Sequence, residues 1–281
     1  MICINNSYLR RIQKKYFILT YPLSIVYKFF SDIRNFLYDK KIISASTLHG
    51  CCVSIGNIHL GGSGKSPFLL EFAKLLLCDN NRPAILTRGY MSGLGKNDIV
   101  IYKAGKVIYS NINDTKRFIP DEALMYSYSL PEVPVVVGCK RYLAAQVLLK
   151  KTSYIPSHWL LDDGFQHRRI DRNINVVLMD EGSNLNKDCL LPSGMLREAK
   201  TSLTRATHII LTYGKKEEKN FELIKSIKDI SKINIMRVSY YTQWPVSIVN
   251  GSKLKTINKK IAVACGIAEP RRFISMLKNI G

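Results

Sequence analysis

A handful of short stretches carry residue types and spacings that could do chemistry together. The first is GNIHLGGSGKSP, Gly56 to Pro67, whose glycines, lysine and serine follow the order of a phosphate-binding loop. The strict pattern G-x-x-x-x-G-K-[ST] has its first glycine where His59 stands, but Gly61, Gly62 and Gly64 lie closer to the lysine. Glycines let backbone N–H groups approach phosphate oxygens, and a helix opening behind the loop adds a favourable dipole. Lys65 would reach the outer phosphates, and the Ser66 hydroxyl would sit on Mg²⁺. His59, Leu60, Gly61, Gly62, Ser63, Gly64, Lys65 and Ser66 therefore form the candidate nucleotide-binding segment. The alternative is a glycine-rich turn.

The second stretch, HWLLDDGFQHRR from His158, is an apolar strand that ends in Asp162 and Asp163. Paired acids at a strand's carboxyl end suit Mg²⁺, which prefers one or two carboxylates together with phosphate oxygens. The competing reading is a pair that caps the next turn. Gln166 and His167 follow, within reach of a metal's waters or a phosphate, although a lone histidine is more often a structural hydrogen-bonding residue. Asp121, in PDEALM, opens a helix, and its local text favours a helix N-cap. Arg141 closes VVVGCKR, where it is either a phosphate-binding cation at a strand end or a surface arginine. The stretch LLPSGMLREA with Arg197 and Glu198 is compatible with a substrate loop or a linker.

Positioning such groups requires rigid strands and helices. From residue 51 the text alternates β-rich and helical runs, the pattern of a mostly parallel sheet covered by helices. Strands are predicted at 51–56, 83–89, 98–103, 134–138, 158–163 and 175–180, with helices at SPFLLEFAKLLL and RYLAAQVLLKK. A second series, THIILTY, NIMRVSY and IAVACGI, with a helix over EEKNFELIKSIKDI, predicts a second α/β domain. The expected fold class is thus α/β, a P-loop NTPase-like sheet plus a second, incomplete α/β domain. Residues 46–180 would form the nucleotide-binding domain and 181–281 the second, after an N-terminal segment, 1–45.

That segment is basic and then apolar. Its run from Tyr16 to Tyr27 is shorter than the roughly 20 residues a spanning helix needs, and no small-residue cleavage site follows. After Pro22, Leu23, Val26, Phe29, Ile33 and Phe36 recur at helical spacing among cations, so an amphipathic helix could lie on an anionic membrane. Packing on the core is the alternative. The composition, 46% apolar and 22% charged, is that of a globular chain. A net charge of +21 fits nucleic acid, a membrane or a phosphorylated substrate as partner, or compositional drift. Seven cysteines without a C-x-x-C pair read as free thiols in a reducing compartment, the cytoplasm.

Taken in order, SIGNIHLGGSGKSP, TRGY, PDEALM, VVVGCKR, LLDDGFQHRRI, LLPSGMLRE and GIAEPRRFISML resemble the tetraacyldisaccharide 4'-kinase family, the lipid A 4'-kinases of Gram-negative bacteria. That family's loop also lacks the first glycine. The resemblance implies ATP and Mg²⁺, and transfer of the γ-phosphate to the 4'-hydroxyl of a tetraacylated disaccharide 1-phosphate. It implies a peripheral or monotopic enzyme at the cytoplasmic face of the inner membrane, docked through the N-terminal helix. Lys65 and Ser66 would serve phosphate and Mg²⁺, Asp162 and Asp163 the metal, Asp121 the hydroxyl proton, and Arg141 and Arg197 the substrate. Family members continue past residue 281 with a histidine thought to pair with the base, so weakened folding and reduced turnover are expected of this chain. A remnant that binds nucleotide without transfer is the first rival. A nucleic-acid-acting P-loop NTPase is the second, but no interleaved basic and aromatic surface is legible, so no nucleic acid is expected.

Overall fold

The computed structural model describes residues 6–89, 92–113, 120–213, 220–230 and 233–240, with positions 273, 274, 277 and 278. Its centre is one nine-stranded sheet. The strands are β1 (Cys51–Gly56), β2 (Pro83–Thr87), β3 (Ile99–Lys103), β4 (Lys106–Ser110), β5 (Val135–Gly138), β6 (His158–Asp162), β7 (Ile174–Asp180), β8 (His208–Tyr213) and β9 (Asn234–Ser239). Their order across the sheet is β4-β3-β5-β2-β6-β1-β7-β8-β9. All pairings are parallel except those of β3, which runs antiparallel to β4 and β5.

Helices cover both faces because the central strands are apolar on both sides. Val53, Ile55, Ile85, Val135 and Leu160 face α3 (Lys65–Cys78) and α4 (Asp121–Ser129) through Leu69, Ala73, Ala123 and Tyr126. Cys52, Ala84, Leu86, Val136 and Trp159 face α5 (Arg141–Lys151) through Ala144, Ala145 and Leu148. A third cluster joins β7 and β8 to α6 (Phe221–Ile230) through Val177, Ile209, Leu223 and Ile227.

Three features differ from expectation. β8 and β9, read from sequence as opening a second domain, continue the same sheet, β8 pairing with β7 and β9 with β8. IAVACGI, predicted to follow them, lies outside the described residues. The β3–β4 hairpin adds a strand, β4, that has no counterpart among the predicted ones. Its two-residue turn places both Ala104 (φ 50°) and Gly105 (φ 74°) in the left-handed region, which suits the twist of the flanking strands. Finally, the amphipathic helix does not wait for Pro22. After α1 (Asn6–Lys15), helix α2 runs from Phe17 to Asp39 with Pro22 inside it.

Candidate functional site

The parallel strands β1, β2, β6 and β7 end at one edge of the sheet, and the predicted site residues gather there. Register pairs Ile55 with Asp162, so the end of β6 stands beside the start of the glycine-rich loop. The turn after β6 folds back over β1 so closely that a Cβ on Gly56 would lie 2.6 Å from Phe165 Cβ. Asp163 makes that turn with φ 47°, in the left-handed region.

The loop runs from Asn57 to Gly64, and α3 begins at Lys65, as a phosphate-binding helix N-terminus requires. Gly64 supplies the left-handed step into the helix at φ 77°, where a side chain would also strike Tyr240. Tyr240 Oη donates to the Gly64 carbonyl at 2.7 Å, and Thr212 Oγ1 donates to that of Ser63 at 3.2 Å. Asn57 Nδ2 reaches Ser63 Oγ at 3.1 Å, and Gln166 Nε2 donates to the Asn57 carbonyl at 2.8 Å. Gln166 thus braces the loop from beneath.

His59 has a visible local role. Its Nε2 lies 3.2 Å from Asp188 Oδ2, and its strand-like segment bridges Leu196. The Leu60 and Arg197 backbone N–H groups donate across that bridge to Met195 and Ile58 carbonyls, both at 2.7 Å. LLPSGMLRE is therefore a partner of the loop rather than a free linker.

Around the loop's end stand the charged groups. Lys65 Nζ lies 3.6 Å from Asp163 Oδ1, and Arg197 Nη1 donates to Asp163 Oδ2 at 2.7 Å. Burial pushes the Asp163 carboxyl up, but Lys65, Arg197 and Arg141 outweigh it and hold the group below its ordinary value. Asp162 behaves oppositely. Burial and the neighbouring Glu122 raise it to about 6 against the pull of Arg141. Thr87 Oγ1 donates to its Oδ2 at 3.3 Å. Arg141 is buried, not superficial, and binds the backbone carbonyls of Asp162 (2.6 Å) and Asp163 (3.3 Å). It fixes the strand end that carries both acids. His167 is driven down to about 3 by burial and then by Arg141, so its ring is neutral at ordinary pH.

Asp121 is the first residue of α4, whose N-cap position is Pro120 with no side-chain cap bond. The N-cap reading therefore fails, and Asp121 is exposed at the start of α4, the helix packed beside α3. Sequence reasoning missed Glu122, although it stands in the same motif. Ser66 Oγ donates to Glu122 Oε1 at 3.5 Å, and Glu122 is second only to burial in raising Asp162. It also missed Tyr126, whose buried hydroxyl is flanked by Ser66 and Asp162 and whose pKa is raised by burial first and Asp162 next.

Ser66 and Glu122, whose side-chain oxygens are 3.5 Å apart, and Asp162, whose carboxyl Glu122 pushes up, offer the oxygen donors that a hard dication takes. Asp163 fits less well, being already held by Lys65 and Arg197.

A parallel sheet, a glycine-rich loop leading into a helix, a lysine at that helix's start and acids at the neighbouring strand end define a P-loop nucleotide-binding protein of the phosphotransferase type. The family model described as Tetraacyldisaccharide-1-P 4'-kinase matches residues 16–281. The chain is 31% identical over 261 residues to the tetraacyldisaccharide 4'-kinase of Aquifex aeolicus, covering 92% of this chain and 77% of that protein. It is 32% identical over 277 residues to that of Desulfotalea psychrophila, covering 96% and 77%. A crystal structure of LpxK from Aquifex aeolicus in complex with ATP superposes with a TM-score of 0.60 at 26% identity, covering 82% of each chain. The chain belongs to the tetraacyldisaccharide 4'-kinase family.

Proposed function

We propose that the chain transfers the γ-phosphate of ATP to the 4'-hydroxyl of a tetraacyldisaccharide 1-phosphate, a step in lipid A biosynthesis, with the residues above in defined roles. The observation that carries this reading is the convergence of Lys65, Ser66, Asp162, Asp163 and Arg197 at one sheet edge beside the head of α3. The loop N–H groups cradle the phosphate chain, and Lys65 swings from Asp163 to neutralise charge on the transferring group. Arg197, the other cation on Asp163, stays on that carboxylate and faces the substrate from there. Arg141 keeps the strand end rigid, and Gln166 and neutral His167 support the loop and the turn behind it. Asp121 accepts the hydroxyl proton, a contribution of about 10²- to 10⁴-fold. Mg²⁺ held by Ser66 and Asp162, with Glu122 and Asp163 nearby, would supply neutralisation of phosphate charge.

We place the enzyme at the cytoplasmic face of the bacterial inner membrane. Among the described residues no helix is long and apolar enough to cross a membrane. Yet α2 leaves Ile18, Leu19, Leu23, Phe29, Phe30 and Phe36 more than half exposed, a stripe suited to the headgroup–acyl boundary. Residues 1–45 would dock the protein where its lipid acceptor resides, 46–180 would hold the nucleotide, and 181–281 would close the acceptor side. Transfer of labelled γ-phosphate to the acceptor in mixed micelles tests the reading. Wild-type turnover that survives Lys65→Ala would overturn it.

A further inference from the structure

A second cluster of cations lies away from the nucleotide edge. Where α2 ends, the chain turns through Lys41 (φ 55°) and returns along the turn that precedes β7. Between these segments and the entry to β8 is a cavity of about 450 Å³, lined by Lys41, Arg168, Arg172 and Arg205 with Asp39 and Asp171 as its carboxylates. Arg168 is tied to Asp39 at 2.6 Å, and Arg205 pairs with the buried Glu198. Arg172 has no carboxylate within ion-pair distance among the described residues. It donates instead to the Phe165 (3.0 Å) and His167 (2.7 Å) carbonyls and to Asn175 Oδ1 (3.3 Å). Burial first, then Arg205 and Arg168, depress it to about 10. Ser44 and Thr207 add hydroxyls to the same walls.

The cavity's walls include Tyr38 and Asp39 at the end of α2, next in the chain to exposed apolar residues. Phe36 on the last turns of α2, then Ile42 and Ile43 beyond it, are 55%, 65% and 40% exposed, and Ile43 is itself part of the lining. A ligand with an anionic head and an apolar tail meets both surfaces at once, whereas a soluble anion would use only the first. Guanidinium groups favour phosphate, which accepts several charge-assisted bonds together.

We propose that this cavity is a binding site for the phosphate of an anionic phospholipid, distinct from the nucleotide and acceptor sites, and that it seats the foot of α2 on the membrane. The proposal takes from the functional reading only that α2 meets a bilayer.

Lys41 is the probe, because its side chain holds no ion pair among the described residues and asparagine tolerates its left-handed backbone. Lys40 is the control: it is adjacent, equally charged, and outside the lining, with its ammonium 5.9 Å over the Phe36 ring. Sedimentation of the full chain with phosphatidylcholine vesicles containing phosphatidylglycerol measures both. Loss of one ordinary surface cation weakens such binding about fivefold. Lys40→Asn is expected to do that, Lys41→Asn to weaken it more than tenfold, and Lys41→Arg to restore it. Equal effects of the two asparagine variants would reduce the cavity to general surface charge and overturn the proposal. So would inorganic phosphate binding that depends on Lys41 while vesicle binding does not, since the site would then serve a soluble anion. If the wild-type chain fails to bind vesicles of any charge, the membrane reading of α2 falls first, and the proposal with it.

Discussion

Glu198 is the residue through which α2, the loop that carries Arg197 and the sheet are joined, and removing its charge tests that joint. Its side chain is 1% exposed and accepts from Arg34 of α2 at 2.7 Å and from Arg205 of the short 3₁₀ helix, Lys200–Arg205. One residue earlier, Arg197 grips Asp163 through its side chain, while its carbonyl accepts from Tyr27 Oη of α2 at 2.6 Å. Breaking a buried ion pair by deleting one partner costs about 3–5 kcal/mol, because the remaining charges lose their compensation. The Arg34 side chain is 43% exposed and solvent screens it, whereas that of Arg205 is 15% exposed. The cost therefore falls mainly on the Arg205 contact, and Glu198→Ala is expected at the lower end, about 3 kcal/mol. Glu198→Gln keeps an acceptor but loses the charge, and about 2 kcal/mol is expected. Urea unfolding followed by the fluorescence of buried Trp159 measures both. The Glu198–Arg205 coupling in a double-mutant cycle should exceed the Glu198–Arg34 coupling. A loss below about 1 kcal/mol for Glu198→Ala would show that Glu198 and Arg205 do not act as a buried ion pair, and the reasoning would fail.

Other outcomes follow from the site. Asp121→Asn should lower turnover 10²- to 10⁴-fold with ATP affinity unchanged, whereas Lys65→Ala should lose both; equilibrium binding beside the transfer assay separates them. Gly64→Ala should weaken ATP binding at least tenfold, because alanine at φ 77° carries about 1–2 kcal/mol of backbone strain and its Cβ would meet Tyr240 Oη at 2.6 Å. Adding Tyr240→Ala should recover only part of that, and full recovery would mean the clash alone matters. The half-buried, neutral His167 makes stability depend on pH. Its folded value is about 3 against an ordinary 6.5, so between those limits the unfolded chain binds the extra proton. Stability should then fall by up to about 1.4 kcal/mol per pH unit as pH drops below about 6, and His167→Gln should flatten that slope in denaturant titrations.

The chemistry-bearing end of the sheet was legible because its signals are local. A buried strand, a glycine-rich loop and a helix signature stand next to one another in Cys51–Cys78, and Asp162 and Asp163 end a strand whose register puts them beside that loop. What the sequence hid depends on contacts far apart in the chain. His59 reads as a flaw in the loop until Asp188, 129 residues on, is found against it. Glu122 shares a motif with Asp121, but only the packing of α4 beside α3 brings it to Ser66. Arg141 reads equally well as a surface cation, because nothing local tells that β6 ends above it. The β3–β4 turn carries no clear local signal, since its first left-handed residue is Ala104, where Asn or Gly is usual. Proline normally stops a helix, yet α2 passes Pro22 because the missing donor falls on an exposed side, where water can satisfy the Ile18 carbonyl; Ile18 is 91% exposed.

The basic composition also takes on a structural meaning. A charge of +21 suggests an anionic polymer as partner, but several of the arginines are spent inside the fold. Arg141 binds the carbonyls at the end of β6, and Arg172 those of the turn leading from β6 to β7. Arg168 donates to the Asn35 carbonyl of α2 at 2.9 Å and stacks on Tyr38, and Arg205 lies over the Phe165 ring. Arginine suits this work because its rigid fork can satisfy several carbonyls at once while remaining charged. The sharp turns that carry the acids from the sheet edge back to β7 expose many carbonyls with no strand partner, and these guanidinium groups supply the missing donors. The same groups leave a positive field behind the turn, facing the end of α2. The scaffold that aims Asp162 and Asp163 at one edge of the sheet thereby builds an anion-attracting surface on the other.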